Sequence, residues 1–148
     1  MTNASLSAVL RLLRVQAAIE TRFSAGLGSV HGLGLTELLL LMNLDRAPLK
    51  RMRRVDLAAA LAMSQSSVTR MVLPLEKVGF VTRDADPRDA RVGYVVLTEA
   101  GAERVADAVA TLDQMSEALF VDRWTGDEVQ TLADLLGRLS SPLPGALA

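Results

Sequence analysis

The chain has 148 residues, the size of one ordinary domain. Half of them are hydrophobic but only 3% aromatic, so a core of Leu, Val, Ala and Met is expected, which favours a mainly α (α+β) fold over a β-sandwich. The absence of Cys excludes disulfides, thiolate metal sites and a cysteine redox switch. Net charge is −1, yet Arg46 to Arg91 holds ten basic against five acidic residues, net +5, while the flanks together carry −6. That distribution fits a polyanion-binding surface on an acidic protein, and equally a plain solvated face.

The longest strongly apolar run, Leu38 to Met42, falls far short of the ~20 residues that span a bilayer, and no cationic start leads into an apolar targeting segment. An unprocessed, cytoplasmic protein without membrane contact is the expectation. Leu6, Leu10, Leu13 and Ala17 recur at helical spacing, with Val9 widening the stripe, and predict an amphipathic helix from about Ser5 to Phe23. Gly26, Gly28, Gly32 and Gly34 then predict a linker. No Gly-Lys-Ser/Thr ending or preceding strand supports a phosphate-cradling loop there. Thr36 is expected to cap a second helix through Asn43, closed by Pro48. Leu49 to Arg53 reads as an edge strand or loop, and a short helix begins near Val55.

From Val55 the sequence runs VDLAAALAMSQSSVTRMVLPLEKVGFVTR: a helix of small and apolar residues, a break at Met63 and Ser64, and a second helix buried through Val68, Met71, Val72 and Leu75. Ser64 is a good N-cap, so the first turn presents Gln65, Ser66 and Ser67, with Thr69 and Arg70 one turn later. Gln bonds adenine in bidentate fashion, Ser and Thr reach base edges or phosphates, and Arg forks onto guanine or clamps the backbone. On this segment alone an ordinary helical hairpin with a polar surface stays open. Pro74 removes the amide that would bond the Arg70 carbonyl, at a cost of roughly 3 kcal/mol in an ideal helix interior, and predicts a bend. Gly79 ends the helix, Phe80 to Arg83 reads as a strand, Asp84 to Arg91 as a charged turn, and Val92, Tyr94 and Val96 alternate through a second strand. Together the strands make a β-hairpin wing.

Thr98 is expected to cap a long helix with Val105, Val109, Leu112, Met115 and Leu119 on one face. Thr125 and Glu128 form a capping-box pattern for a last helix striped by Val129, Leu132, Leu136 and Leu139. A chain this short cannot easily bury all these terminal stripes around one small winged domain, so dimerisation is expected.

The segment DPRDARVGYVVLTEAG resembles the wing and following helix start of the MarR family, and LAAALAMSQSSVTRMVLPLEKVGFVTR resembles its DNA-reading helices; together they cover Leu57 to Gly101. The resemblance implies a winged helix-turn-helix with N- and C-terminal dimerisation helices: a single domain over 1–148, a DNA-binding lobe at 35–101, and dimerisation helices in 1–25 and 102–148. It implies a homodimeric, sequence-specific transcription regulator, a repressor, on a pseudopalindromic operator of double-stranded DNA, with half-sites one duplex turn, ~34 Å, apart. It also implies relief by a small lipophilic or phenolic effector. Asp89 and Arg91 fall on the family's wing Asp and Arg, and that Arg enters the minor groove, where negative potential favours a guanidinium. Arg88 is a second wing candidate, phosphate-facing, and Asp89 holds the turn by pairing with a nearby Arg. The sequence departs from the family at Pro74 and at Ala62, which stands where the turn often has Gly and implies an ordinary φ.

An enzyme finds little support. His31 is the sole histidine, which rules out multi-histidine metal sites and leaves any triad one possible base. No catalytic residue, metal site or cofactor is expected. A winged-helix protein acting through protein–protein contacts is the other alternative. His31, Met42 and Trp124 are possible effector-lining groups, with packing or surface roles the plainer reading.

Overall fold

A computed structural model describes residues 3–89 and 91–140. The elements are α1 (Ala4–His31), α2 (Leu35–Arg46), a 3-10 turn (Pro48–Lys50), β1 (Arg51–Arg53), α3 (Arg54–Leu61), α4 (Gln65–Lys77), β2 (Val81–Ala85), β3 (Gly93–Leu97), α5 (Glu99–Phe120) and α6 (Gly126–Ser140). The chain divides into two compact units, Met1–Leu112 and Asp113–Ala148. The expected ranges 1–25 and 102–148 extend past the described residues at both chain ends.

In the first unit, Leu38, Leu40, Leu41 and Leu44 of α2 are fully buried with Leu57, Val68, Val81 and Val95. Each such side chain contributes roughly 1.5–3 kcal/mol by leaving water. The sheet is antiparallel in the order β1-β3-β2, with Arg51 opposite Val96 and Val81 opposite Leu97. Its inward face is Val81, Val95 and Leu97, so the buried phase of β3 is the one that Val92, Tyr94 and Val96 leave. No single described helix is long and apolar enough to cross a membrane; α1 and α2 pass only as a pair bent by 74°.

Three expectations are corrected here. Gly26 and Gly28 are not linker: α1 continues through them to His31 and ends where Gly32 turns left-handed at φ 68°, its amide on the Gly28 carbonyl. A glycine inside a helix costs about 1 kcal/mol, and burial of Phe23 and Leu27 on that last stretch outweighs it. Thr36 does not cap α2. The Gly34 amide donates to Glu37 Oε2 at 3.0 Å, and the Leu35 amide to Ser24 Oγ of α1 at 3.0 Å, so the helix is capped from its own third position and from α1. Ala62 is left-handed, at φ 52°, despite its Cβ. The α3–α4 turn needs that conformation to bring the Met63 amide back onto the Ala58 carbonyl at 2.9 Å.

The expected caps of the later helices form. The Gly101 amide donates to Thr98 Oγ1 at 3.0 Å. Thr125 and Glu128 make the reciprocal pair, with the Thr125 amide on Glu128 Oε2 at 2.8 Å and the Glu128 amide on Thr125 Oγ1 at 3.2 Å. At the start of α5, a Cβ on Gly101 would lie 2.1 Å from the Phe80 carbonyl oxygen, so only glycine lets the helix approach the root of β2.

In the second unit α6 has no buried residue. Leu135, Leu136 and Leu139 stand open, and Trp124 packs edge-on against Phe120 with ring centres 5.6 Å apart.

Candidate nucleic-acid interface

The first turn of α4 is organised by hydroxyl groups. Ser64 adopts extended backbone as the N-cap, and its Oγ accepts from the Ser67 amide at 3.1 Å. The same oxygen lies 3.1 Å from Ser66 Oγ and donates to Ser67 Oγ at 2.9 Å. Arg70 Nη2 then donates to Ser67 Oγ at 3.2 Å. Val68, Val72 and Leu75 are buried on the opposite face, which turns Gln65, Ser66 and Arg70 to solvent. Of the six residues expected on this helix, Ser64 is committed to capping. Thr69 donates to the Gln65 carbonyl at 3.0 Å and accepts from Arg54 Nη1 at 3.0 Å.

α4 runs through Pro74 to Lys77, and the Val78 amide reaches the Pro74 carbonyl at 3.1 Å. Gly79 at φ 85° closes the helix, with the Phe80 amide on the Leu75 carbonyl at 3.0 Å. Arg83 of β2 grips Glu76 of α4 through Nε–Oε2 at 2.6 Å and Nη2–Oε1 at 3.3 Å. That hydrogen-bonded pair lowers the Glu76 pKa and raises that of Arg83. It ties the wing to the far end of α4.

β2 extends two residues beyond Arg83, so the turn is shorter than Asp84 to Arg91 and spans Asp86 to Val92, closed by the Asp86 amide on the Val92 carbonyl at 2.8 Å. Its sequence DPRDAR places each Asp two residues before an Arg, the spacing at which an aspartate accepts from the backbone two residues on. Both do so: Asp86 Oδ1 takes the Arg88 amide at 2.8 Å and Asp89 Oδ1 the Arg91 amide at 3.0 Å. Asp89 also holds the Arg91 side chain, Nε–Oδ1 at 3.1 Å and Nη2–Oδ2 at 3.3 Å. The Arg91 side chain is 91% exposed even so. The Arg91 guanidinium and amide lower the Asp89 pKa, while the Arg88 amide, aided by the Tyr94 hydroxyl, lowers that of Asp86.

Among the described residues no hydrogen bond or ion pair joins the first-turn group to the wing group. Three arginines outside the expected set frame them. Arg51 of β1 lies 4.3 Å from the Tyr94 ring centre and 3.6 Å from Asp84 Oδ2. Arg53 adds to the depression of Asp86, and Arg54 holds Thr69. In the sequence they counted only as charge. What set Arg53 and Arg54 apart was their place at a helix start, where the macrodipole opposes positive charge. The possible effector-lining residues scatter by role. His31 is the last residue of α1 rather than linker, its Nε2 2.7 Å from Thr111 Oγ1 and its carbonyl accepting from Arg104 Nη1 at 3.2 Å. Met42 packs against the core, and Trp124 is exposed on Phe120.

A protein-family model described as the MarR family matches residues 33–92. YdcH of Bacillus subtilis, an uncharacterized HTH-type transcriptional regulator, is 38% identical over 53 residues, which cover 36% of each protein. The transcriptional regulator HosA of Escherichia coli O111:H- is 29% identical over 86 residues, 58% of this chain and 63% of HosA. The matches thus span about a third and just under two thirds of those relatives, both regulators rather than enzymes. Among solved structures, Sco3205 of Streptomyces coelicolor, a MarR family transcriptional regulator in complex with DNA, superposes with a TM-score of 0.85 at 23% identity, covering 99% of this chain and 92% of that one. BpsR of Bordetella bronchiseptica, whose DNA binding is regulated by 6-hydroxynicotinic acid, has a TM-score of 0.80 at 22% identity, covering 95% and 98%. The structural likeness establishes the winged-helix fold, and within it residues 33–92 match the MarR family model.

Proposed function

We propose that the protein is a sequence-specific, DNA-binding transcription regulator that acts as a homodimer on a pseudopalindromic operator. The observation that carries this reading is the pairing of an exposed, Ser64-capped reading helix with a wing whose two aspartate-held turns present Arg88 and Arg91. Gln65, Ser66 and Arg70 supply base-edge and phosphate chemistry in the major groove, and Arg91 supplies charge to the minor groove. Sco3205, which shares the fold, is in complex with DNA, and this supports the DNA-binding reading.

Dimerisation rests on apolar surface without a described partner. Leu6, Leu10 and Leu13 recur along α1 with about half of each side chain in water, and Leu135 and Leu139 do so on α6. Contiguous apolar stripes of this kind mark association surfaces. The described part of the chain thus divides by role into a lobe at 35–101 and dimerisation helices on either side. Repression relieved by a small lipophilic or phenolic ligand is the regulatory reading, supported by the control of BpsR by a hydroxylated aromatic acid.

The experiment is a titration of the whole protein against random duplex DNA and against duplexes it enriches from a random pool, at two salt concentrations. Binding through several phosphates weakens steeply with salt, and an enriched duplex binds at least ~10³-fold tighter than random DNA. Salt-insensitive or absent binding would instead favour a winged helix that contacts protein.

A further inference from the structure

Arg54 opens α3, where its charge works against the helix: the macrodipole is positive at that end, and Arg53 at the N-cap makes no side-chain hydrogen bond to the helix amides. Helix stability therefore does not account for two adjacent arginines at this point. Nor does pairing: the ion pairs among the described residues engage Lys50, Arg51, Arg83 and Arg91, and none engages Arg54. What holds Arg54 is neutral. One Nη1–H donates to Thr69 Oγ1 at 3.0 Å on the exposed side of α4, and the Thr69 hydroxyl in turn donates a hydrogen bond to the Gln65 carbonyl. The guanidinium is thus aimed without being neutralised, and of its five N–H donors this contact uses one.

Arg70 is held the same way, by Ser67 Oγ. Ser67 and Thr69 are two residues apart, about 200° around the helix axis, so the two hydroxyls hold their arginines on opposite flanks of the reading turn. A cation oriented on each flank of a helix that enters the major groove faces one of the two backbones bordering that groove.

We infer that Arg54 is a DNA-phosphate clamp contributed by the preceding helix, and that Thr69 acts as its positioning residue rather than as a reader of bases. The inference rests on the DNA-binding function proposed above and adds a contact that composition and helix pattern left as undifferentiated charge. Phosphate is the ligand because the site offers an oriented, unpaired guanidinium without an acceptor group, which suits an oxyanion and gives no pattern for a base edge.

The test measures affinity for the random and the enriched duplex at two or more salt concentrations, using the full-length protein and the variants R54A, R54K, T69V, T69S and R54A/T69V. Thermal melts establish that each is folded. R54A is expected to weaken both duplexes by the same factor, about tenfold near 0.15 M salt, and to lower the salt slope by about one. R54K keeps the charge and retains the slope. T69V unpins the guanidinium and weakens binding about threefold, the scale of one neutral hydrogen bond. T69S restores it, and T69V adds nothing in the R54A background. Unchanged affinity and slope in R54A overturn the clamp. A loss of sequence discrimination caused by T69V in the R54A background overturns the positioning role, because Thr69 would then touch a base. Wild-type protein without salt-dependent duplex binding would instead sink the proposed function itself, so the two failures are distinguishable.

Discussion

The Thr98 hydroxyl donates to the Gly79 carbonyl across 2.6 Å while accepting the Gly101 amide at 3.0 Å. One side chain thereby caps α5 and fastens it to the turn where α4 ends. Thr98→Ala removes both bonds and is expected to cost about 2 kcal/mol, a cap plus one hydrogen bond. Thr98→Ser should recover most of that in urea titrations, whereas Thr98→Val should behave like Ala.

Gly101 admits no side chain. With a Cβ forced to 2.1 Å from the Phe80 carbonyl oxygen and 2.7 Å from Leu97 Cδ1, Gly101→Ala must push α5 off the sheet. A loss of at least about 2 kcal/mol is expected in equilibrium unfolding. A stability within about 0.5 kcal/mol of wild type would show that the helix shifts at little cost.

Ala62→Gly should stabilise the fold. A left-handed L-residue costs about 1–2 kcal/mol, of which the extra chain entropy of glycine takes back about 0.4–1. A net gain near 0.5 kcal/mol is expected in the denaturation midpoint, with the m-value unchanged.

Gln65 and Arg91 should fail in different ways. Gln65→Ala is expected to reduce discrimination at one base pair by about 1–3 kcal/mol. Arg91→Ala should weaken all duplexes and lower the salt slope by about one. Competition binding on single-base operator variants separates the two; equal loss on every sequence from Gln65→Ala would assign that side chain to phosphate.

Asp86 and Asp89 hold the wing turns as carboxylates, and both titrate below their ordinary range because Arg88, Arg91 and Tyr94 donate to the charged form. A pKa depressed on folding gives stability that is complete above the unfolded value, about 3.9, and lost as pH falls through the lower folded value. Wing order should therefore be flat from about pH 8 to 5 and decline only below about pH 4. Exchange protection of the Arg88 and Arg91 amides reports it, and loosening near neutral pH would contradict the assignment.

Much of the candidate site was legible because local rules decide it. Ser64, Thr98 and Thr125 are small polar residues immediately before apolar periodicity, and each satisfies amides that nothing else nearby serves. The two Asp-x-Arg turns are local in the same sense. What stayed hidden depends on distant partners. α1 runs through Gly26 and Gly28 because Leu27 is buried, and α2 is capped by Ser24 from eleven residues upstream. Arg54 became more than charge only when the fold set it against Thr69, fifteen residues on. The left-handed Ala62 is a case of the α3–α4 turn, closed by the Met63 amide on the Ala58 carbonyl, overriding a residue's own preference.

The three-stranded sheet has a further consequence. With β3 in the middle, β1 and β2 each have an edge that no other described strand pairs, and unpaired amides and carbonyls on such an edge invite a strand from another molecule. β1 is only three residues long and carries Arg51 and Arg53, while β2 exposes Thr82, Arg83 and Asp84. Short, charged rims disfavour pairing with their own copies, so the basic segment proposed to meet a nucleic acid also guards the protein against polymerising edge to edge. Apolar replacements at Arg51 and Arg53 together should therefore make the protein prone to fibrils, a liability separate from any loss of grip on DNA.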